Sequence, residues 1–238
     1  MKIIGVLAVA GSLLATSAYA ALSSDETKRL SEAGAILTVL RDSPDKGIPV
    51  ELWRRAECVV VIPSMKKAAF IVGGEYGAGV MSCQTSRGQR TNVRRVTRTN
   101  WSSPIFMQLA KGSWGLQIGA EQTDLVLLIM NQRGVDTLLN DKISLGADAS
   151  VAGGPVGRTA SAVQLNAEIL SYSRSSGVFA GIDLSGGVLR PDNDADARAY
   201  GPHVTARQVV TRRMAKLPAA TPFLQALRRN VGAPVAGN

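Results

Sequence analysis

The chain has a single histidine, His203, and no serine or acidic residue in an obvious companion position beside it. A nucleophile–base pair of the hydrolase kind is therefore absent from the sequence pattern, since histidine is the usual base at neutral pH. Lys111 to Gly115 also lacks the first glycine of a nucleophile elbow. Cysteine is scarce as well, at two residues, Cys58 and Cys83. Together with His203 they fall short of the four ligands of a structural zinc site, and their spacing is not C-x-x-C. No metal and no cofactor is expected. Aromatic residues make up 5% of the chain, too few for base-stacking platforms, so nucleic acid is not an expected partner. Beyond the first twenty residues the longest apolar run is Leu125 to Met130, far short of the roughly 20 residues that span a bilayer.

Acidic residues are also in short supply. Lys and Arg number 27 against 18 Asp and Glu, for a net charge of +9 in 238 residues. Such a balance suits an anionic partner: phospholipid headgroups, cell-wall polymers or another polyanion. The N-terminus supplies a compartment. Lys2 forms a short positive region, Ile3 to Leu14 an apolar one, and Ala18-Tyr19-Ala20 a small-residue cleavage pattern. Residues 1–20 are thus expected to be a signal peptide, with the mature chain, 21–238, exported to the periplasm or cell envelope. No cysteine lies at the cleavage point for lipid attachment. In an oxidising compartment Cys58 and Cys83 can form one disulfide, and two buried free thiols are the alternative.

Residues 24–42 have helical periodicity, with Leu30, Ala33, Leu37 and Leu40 on one face and a Ser23/Glu26 capping box in front. A second, short helix is expected from Pro49, carrying Leu52 and Trp53. Cys58 to Ile62 and Ala68 to Val72 look like two strands joined by a hairpin or tight connection at Pro63 to Lys67. Gly73, Gly74, Gly77 and Gly79 follow closely, a density that marks bulges or close backbone approach. Further strands are expected at 116–120, 124–130, 169–173 and 178–184, and a helix near 135–140. Two basic helical patches follow, one after Thr205 and one opened by Thr221-Pro222 as N-cap and first turn. The pattern predicts one α+β domain, a twisted β-sandwich or barrel-like sheet with flanking N- and C-terminal helices.

Three segments echo ligand sites. Gly153 to Arg158 resembles a phosphate-binding loop, but one residue is missing between its glycines and Arg158 replaces the lysine; it remains a glycine turn that could present Arg158 to an anion. Asp192 to Asp196 alternates oxygen side chains, yet Ala197 and His203 hold the positions a calcium loop gives to Gly and Glu, so a solvated acidic turn is expected. Arg87, Arg90, Arg94, Arg95 and Arg98 crowd twelve residues near Trp101. Arginine forks suit phosphate, and an interfacial Trp suits headgroup depth. The alternative is a solvated loop.

Taken in order along residues 25–230, several segments resemble the SYLF domain. They are Ala56 to Pro63, Lys67 to Val80, Trp101 to Pro104, Gly115 to Gly119, Thr123 to Val126, Gly153 to Arg158 and Tyr172 to Gly181. The resemblance implies a non-enzymatic lipid-binding domain of the stand-alone, exported bacterial kind, with the helix at 24–42 as its N-terminal amphipathic element. The Arg-rich segment and Lys111 depart from the usual glycine-rich pattern and add positive charge. The expected ligand is an anionic phospholipid or membrane surface, met by Lys66, Lys67, Arg87, Arg90, Arg94, Arg95, Arg98 and Arg158. A structural or protein-interaction module of the periplasm is the alternative.

Overall fold

The computed structural model describes residues 22–42, 47–69, 72–85, 100–114, 121–156, 167–175, 178–212, 214 and 217–232. Its centre is β1 (Cys58–Ala69), hydrogen-bonded on one side to β2 (Val72–Cys83) and on the other to β4 (Glu121–Ile129), both antiparallel. Outward from β2 come β3 (Ile105–Trp114), β9 (Gly187–Pro191) and the short β5 (Ile143–Ser144). Outward from β4 come β7 (Ile169–Ser175), then β6 (Val151–Gly153) in parallel, with β8 (Val178–Gly181) also on β7. The described strands form one sheet, curled into a half-barrel and flanked by helices, so the expected α+β class with a barrel-like sheet is what the chain adopts.

Both faces of the sheet's inner half are covered, which explains why β1 and β4 open or close on unbroken apolar runs rather than alternating ones. On one face Val59, Val61, Val80, Phe106, Val126, Leu128 and Tyr172 pack against α1 (Ser24–Arg41), α2 (Val50–Arg55) and α6 (Thr221–Val231). On the other, Val60, Ile62, Met81, Met107, Leu109, Leu125 and Leu127 meet α3 (Gln132–Asn140) and α5 (Ala206–Thr211). Helix α4 (Asn193–Tyr200) sits beside β3. Gly34 lets α6 approach α1: a Cβ there would lie 3.0 Å from the Phe223 amide nitrogen. Asn230, buried, fastens the pair by donating its side-chain amide to the Leu37 carbonyl at 3.0 Å.

Pro63 to Lys67 is neither a hairpin nor a connection between two strands. The strand runs through it, with register shifts between Val61 and Lys66 towards β2 and between Ile62 and Met65 towards β4. Ser64 takes φ 49°, and its N–H is donated to the Asp124 carboxylate at 3.0 Å. This bulge drives β1 over β2, where a Cβ on Gly79 would come within 2.1 Å of the Val61 carbonyl oxygen. The glycine is required by that approach, and the bulge sharpens the sheet's curl. Cys58 and Cys83 face each other across the base of the same strand pair and form a disulfide, Cα–Cα 3.9 Å.

Candidate functional surface

Three acidic side chains, Glu26, Asp192 and Asp196, are buried. Helix α1 opens with the capping box visible in the sequence: Ser23 Oγ accepts from the Glu26 amide at 3.2 Å and Glu26 Oε2 from the Ser23 amide at 2.7 Å. Glu26 is fully buried, and its other oxygen accepts from Arg198 Nε of α4 at 2.6 Å. Arg29, one turn on, pairs with Asp192 at 2.8 Å, while Asp192 also caps α4 by accepting from the Ala195 amide at 3.2 Å. Burial works against the Asp192 charge, but Arg29, Gln108 and the Ala195 amide outweigh it and hold the carboxyl below its ordinary range.

Asp196 completes the cluster. It is fully buried, its Oδ1 accepts from the Phe106 amide of β3 at 2.9 Å, and its Oδ2 has no hydrogen-bond partner. Burial first, and then the neighbouring Asp192 and Glu26 carboxylates, push its pKa up to about 7. Beside it, Tyr200 donates to the Pro104 carbonyl at 2.5 Å, and burial and Asp196 together raise its hydroxyl pKa. Three carboxylates and two guanidiniums thus lock α1 to α4 and the sheet. The Asp192 to Asp196 segment is accordingly not a solvated acidic turn: Asp192 and Asp196 are both buried, the first as the cap of α4 and the second in its first turn. Among the described residues no group of three or more His, Cys, Asp and Glu could hold a metal ion.

The glycines of the loop at 153–158 also have a packing role. A Cβ on Gly154 would fall 2.0 Å from Tyr172 Cζ, and one on Gly181 would fall 2.6 Å from the Gly154 carbonyl oxygen. Backbone therefore lies directly on the Tyr172 ring and on β8, with the Ser171 hydroxyl against the carbonyls of Ala152 and Ile182. Arg174, in the same Tyr172 to Gly181 segment, pairs with Asp124 at 3.4 Å and lies 5.8 Å from the Phe179 ring centroid. These SYLF-like segments hold the β4–β7–β8 corner together. Arg158 lies outside the described residues.

Of the other expected headgroup contacts, Lys66 is exposed on β1, opposite Tyr76 and Gln122, and Lys67 stands at the register position opposite Glu75 and Glu121. Arg87, Arg90, Arg94, Arg95 and Arg98 lie outside the described residues. Trp101 does not sit at an interface: it is 6% exposed and belongs to the apolar cluster between the sheet and the helix layer, so a headgroup role for it is corrected. His203, with φ 69°, occupies an exposed turn.

Sequence reasoning missed how the cations sort. Ion pairs among the described residues take up Lys28, Arg29, Arg174, Arg198 and Arg207. Exposed Arg41, Arg55, Arg228 and Arg229 make none there. The separation follows from pairs more than 160 residues apart, such as Arg29–Asp192 and Glu26–Arg198, which no local pattern discloses.

The Ysc84 family model, described as "Las17-binding protein actin regulator", matches residues 110–230. The chain is 30% identical over 221 residues to the SH3 domain-containing protein PJ696.02 of Schizosaccharomyces pombe, covering 88% of this chain and 49% of that one. It is 30% identical over 189 residues to LAS seventeen-binding protein 3 of Saccharomyces cerevisiae, covering 77% and 39%. Against the human SH3 domain-containing YSC84-like protein 1 it is 29% identical over 174 residues, covering 71% and 47%. The chain thus spans half or less of the length of these relatives, all of them eukaryotic.

Proposed function

Because the chain belongs to the Ysc84 (SYLF) family, we propose that it is a non-enzymatic binding module whose ligand is an anionic phospholipid or membrane surface of a bacterial envelope. The observation that supports this reading is the sorting of charge. Glu26, Asp192 and Asp196 are buried, whereas the exposed Arg41, Arg55, Arg228, Arg229 and Lys66 make no ion pair among the described residues, on a chain of net charge +9. Each basic residue near an anionic surface contributes about 1 kcal/mol, screened by salt. The proposal includes export: residues 1–20 direct the chain out of the cytoplasm and are removed before Ala21. Flotation of the full-length mature chain with phosphatidylcholine vesicles, with and without phosphatidylglycerol, tests the ligand. Binding to the anionic vesicles at low salt is expected, and equal failure with both refutes it.

A protein-interaction module is the second reading. What favours it is the Saccharomyces cerevisiae relative LAS seventeen-binding protein 3, whose name describes a protein partner. Crosslinking in the envelope that recovers a stoichiometric protein partner, with no lipid dependence, would select this reading over the first.

A further inference from the structure

Three helices of the layer over the sheet end together. Asn230 of α6 donates to the Leu37 carbonyl of α1 at 3.0 Å, and Arg54 Nε of α2 donates to the Val231 carbonyl of α6 at 3.3 Å. Each helix closes on arginine: Arg41 in the last turn of α1, Arg54 and Arg55 in that of α2, Arg228 and Arg229 in that of α6. Arg41 lies only four residues past Leu37, about 6 Å along the helix axis. Five arginines from three elements therefore gather at one end of the molecule, all of them exposed.

Helix physics explains part of this, since the carbonyl end of each helix carries roughly half a negative charge and favours a cation. Three such ends offset fewer than two of the five positive charges. With the nearby acidic side chains Asp42, Glu51 and the part-buried Glu57 counted as well, the net excess at this end is small, and what marks it is the set of exposed guanidiniums without ion pairs among the described residues. Arg41, Arg55, Arg228 and Arg229 make no ion pair among the described residues, in contrast to the arginines of the α1–α4 lock. Their guanidinium forks are the groups suited to bidentate contact with phosphate.

We infer that this convergent helix end, rather than the sheet surface around Lys66, is the face that docks on an anionic phospholipid bilayer. The inference rests on the anionic-surface reading proposed above and assigns its location. A planar array of phosphates fits cations delivered from three separate helices better than a single small anion does. Among the described residues the exposed large hydrophobics are Tyr76 and Val156, neither at this end, so docking is adsorption through charge, without insertion, and is reversed by salt.

The test uses the full mature chain and vesicles of phosphatidylcholine with phosphatidylglycerol. The helix-end variant carries Arg41→Gln, Arg55→Gln, Arg228→Gln and Arg229→Gln. The control carries the same kind of change at exposed cations elsewhere, Lys66→Gln, Arg133→Gln, Lys142→Gln and Arg212→Gln, so both lose four charges. Unchanged thermal melting checks that each is folded. At about fivefold per charge in contact with the surface, the helix-end variant should bind several-hundred-fold more weakly, and the control only a few-fold more weakly. Equal losses would mean that net charge alone matters and would overturn the location, as would a larger loss in the control. Weakened binding to polyglutamate with vesicle binding unchanged would mark a docking face for acidic protein and also overturn it. If the parent chain itself ignores anionic vesicles, the anionic-lipid reading fails together with the location; if the parent binds and the helix-end variant binds equally well, only the location fails.

Discussion

Replacing Asp196 by Asn should stabilise the protein at neutral and alkaline pH and leave it unchanged in acid. The carboxyl is fully buried, with one oxygen unpartnered, and its pKa is raised from 3.8 to about 7. A raised folded-state pKa means the native state holds the proton more tightly than the unfolded chain. The resulting stabilisation is complete below the unfolded value near 3.8, declines as pH rises, and is gone above about 7. Three units correspond to on the order of 4 kcal/mol, an upper bound because the site can relax when charged. For a chain of this size that is a shift of about 10 °C in melting temperature. Asn keeps the oxygen that accepts from the Phe106 amide and replaces the unpartnered one by a neutral group. Melting curves of both proteins from pH 4 to pH 8.5 should coincide at the acid end and separate progressively, with the variant melting higher. A variant that melts lower at pH 8 than the parent, by more than it does at pH 4, would show that Asp196 is ionised and paired in the native state, and would refute the reasoning.

Other consequences concern the same packing. Arg29→Ala leaves the Asp192 carboxylate buried without its 2.8 Å partner and should cost about 3 kcal/mol, read by urea denaturation, with faster hydrogen exchange in α1 if the lock is local. Gly79→Ala forces a methyl against the Val61 carbonyl and should lower the melting temperature sharply, while Gly112→Ala, where a Cβ meets nothing within 4 Å, should not. Reducing the Cys58–Cys83 disulfide, which closes a 25-residue separation, should cost about 3 kcal/mol in denaturant titrations with and without reductant. N-terminal sequencing of the protein recovered from the envelope should begin at Ala21; retention of Met1 would remove the export reading.

Much of the fold was legible because its signals are local. The α1 capping box, the apolar periodicity of residues 24–42 and the run Leu125 to Ile129 each point to the element observed. Strand β3 was missed because its two faces differ along its length: Ile105, Met107 and Leu109 are buried, while the other side passes from buried Phe106 to exposed Ala110 and Gly112 as the sheet emerges from the helix layer. Pro63 and Ser64 looked like a turn, yet their backbone irregularity is absorbed as a bulge because β2 offers Gly77 and Gly79 opposite it. Thr221 looked like an N-cap, but Ala220 takes that place after a 3-10 turn at Pro218–Ala220, and Thr221 opens the helix. Helix α4 was invisible because its only small apolar contacts are Ala195 and Ala199, and the arginines that let its acidic neighbours be buried come from α1 and from α4 itself. The helix-end arginines were visible singly; their meeting depends on how α1, α2 and α6 pack.

The central claim, that a surface sorted to be positive meets anionic lipid, is tested most directly by titrating the mature chain with vesicles of increasing phosphatidylglycerol content at fixed low salt. Binding should rise steeply with the anionic fraction and collapse when salt is added. Binding that stays flat across the series, or is absent throughout, would contradict it.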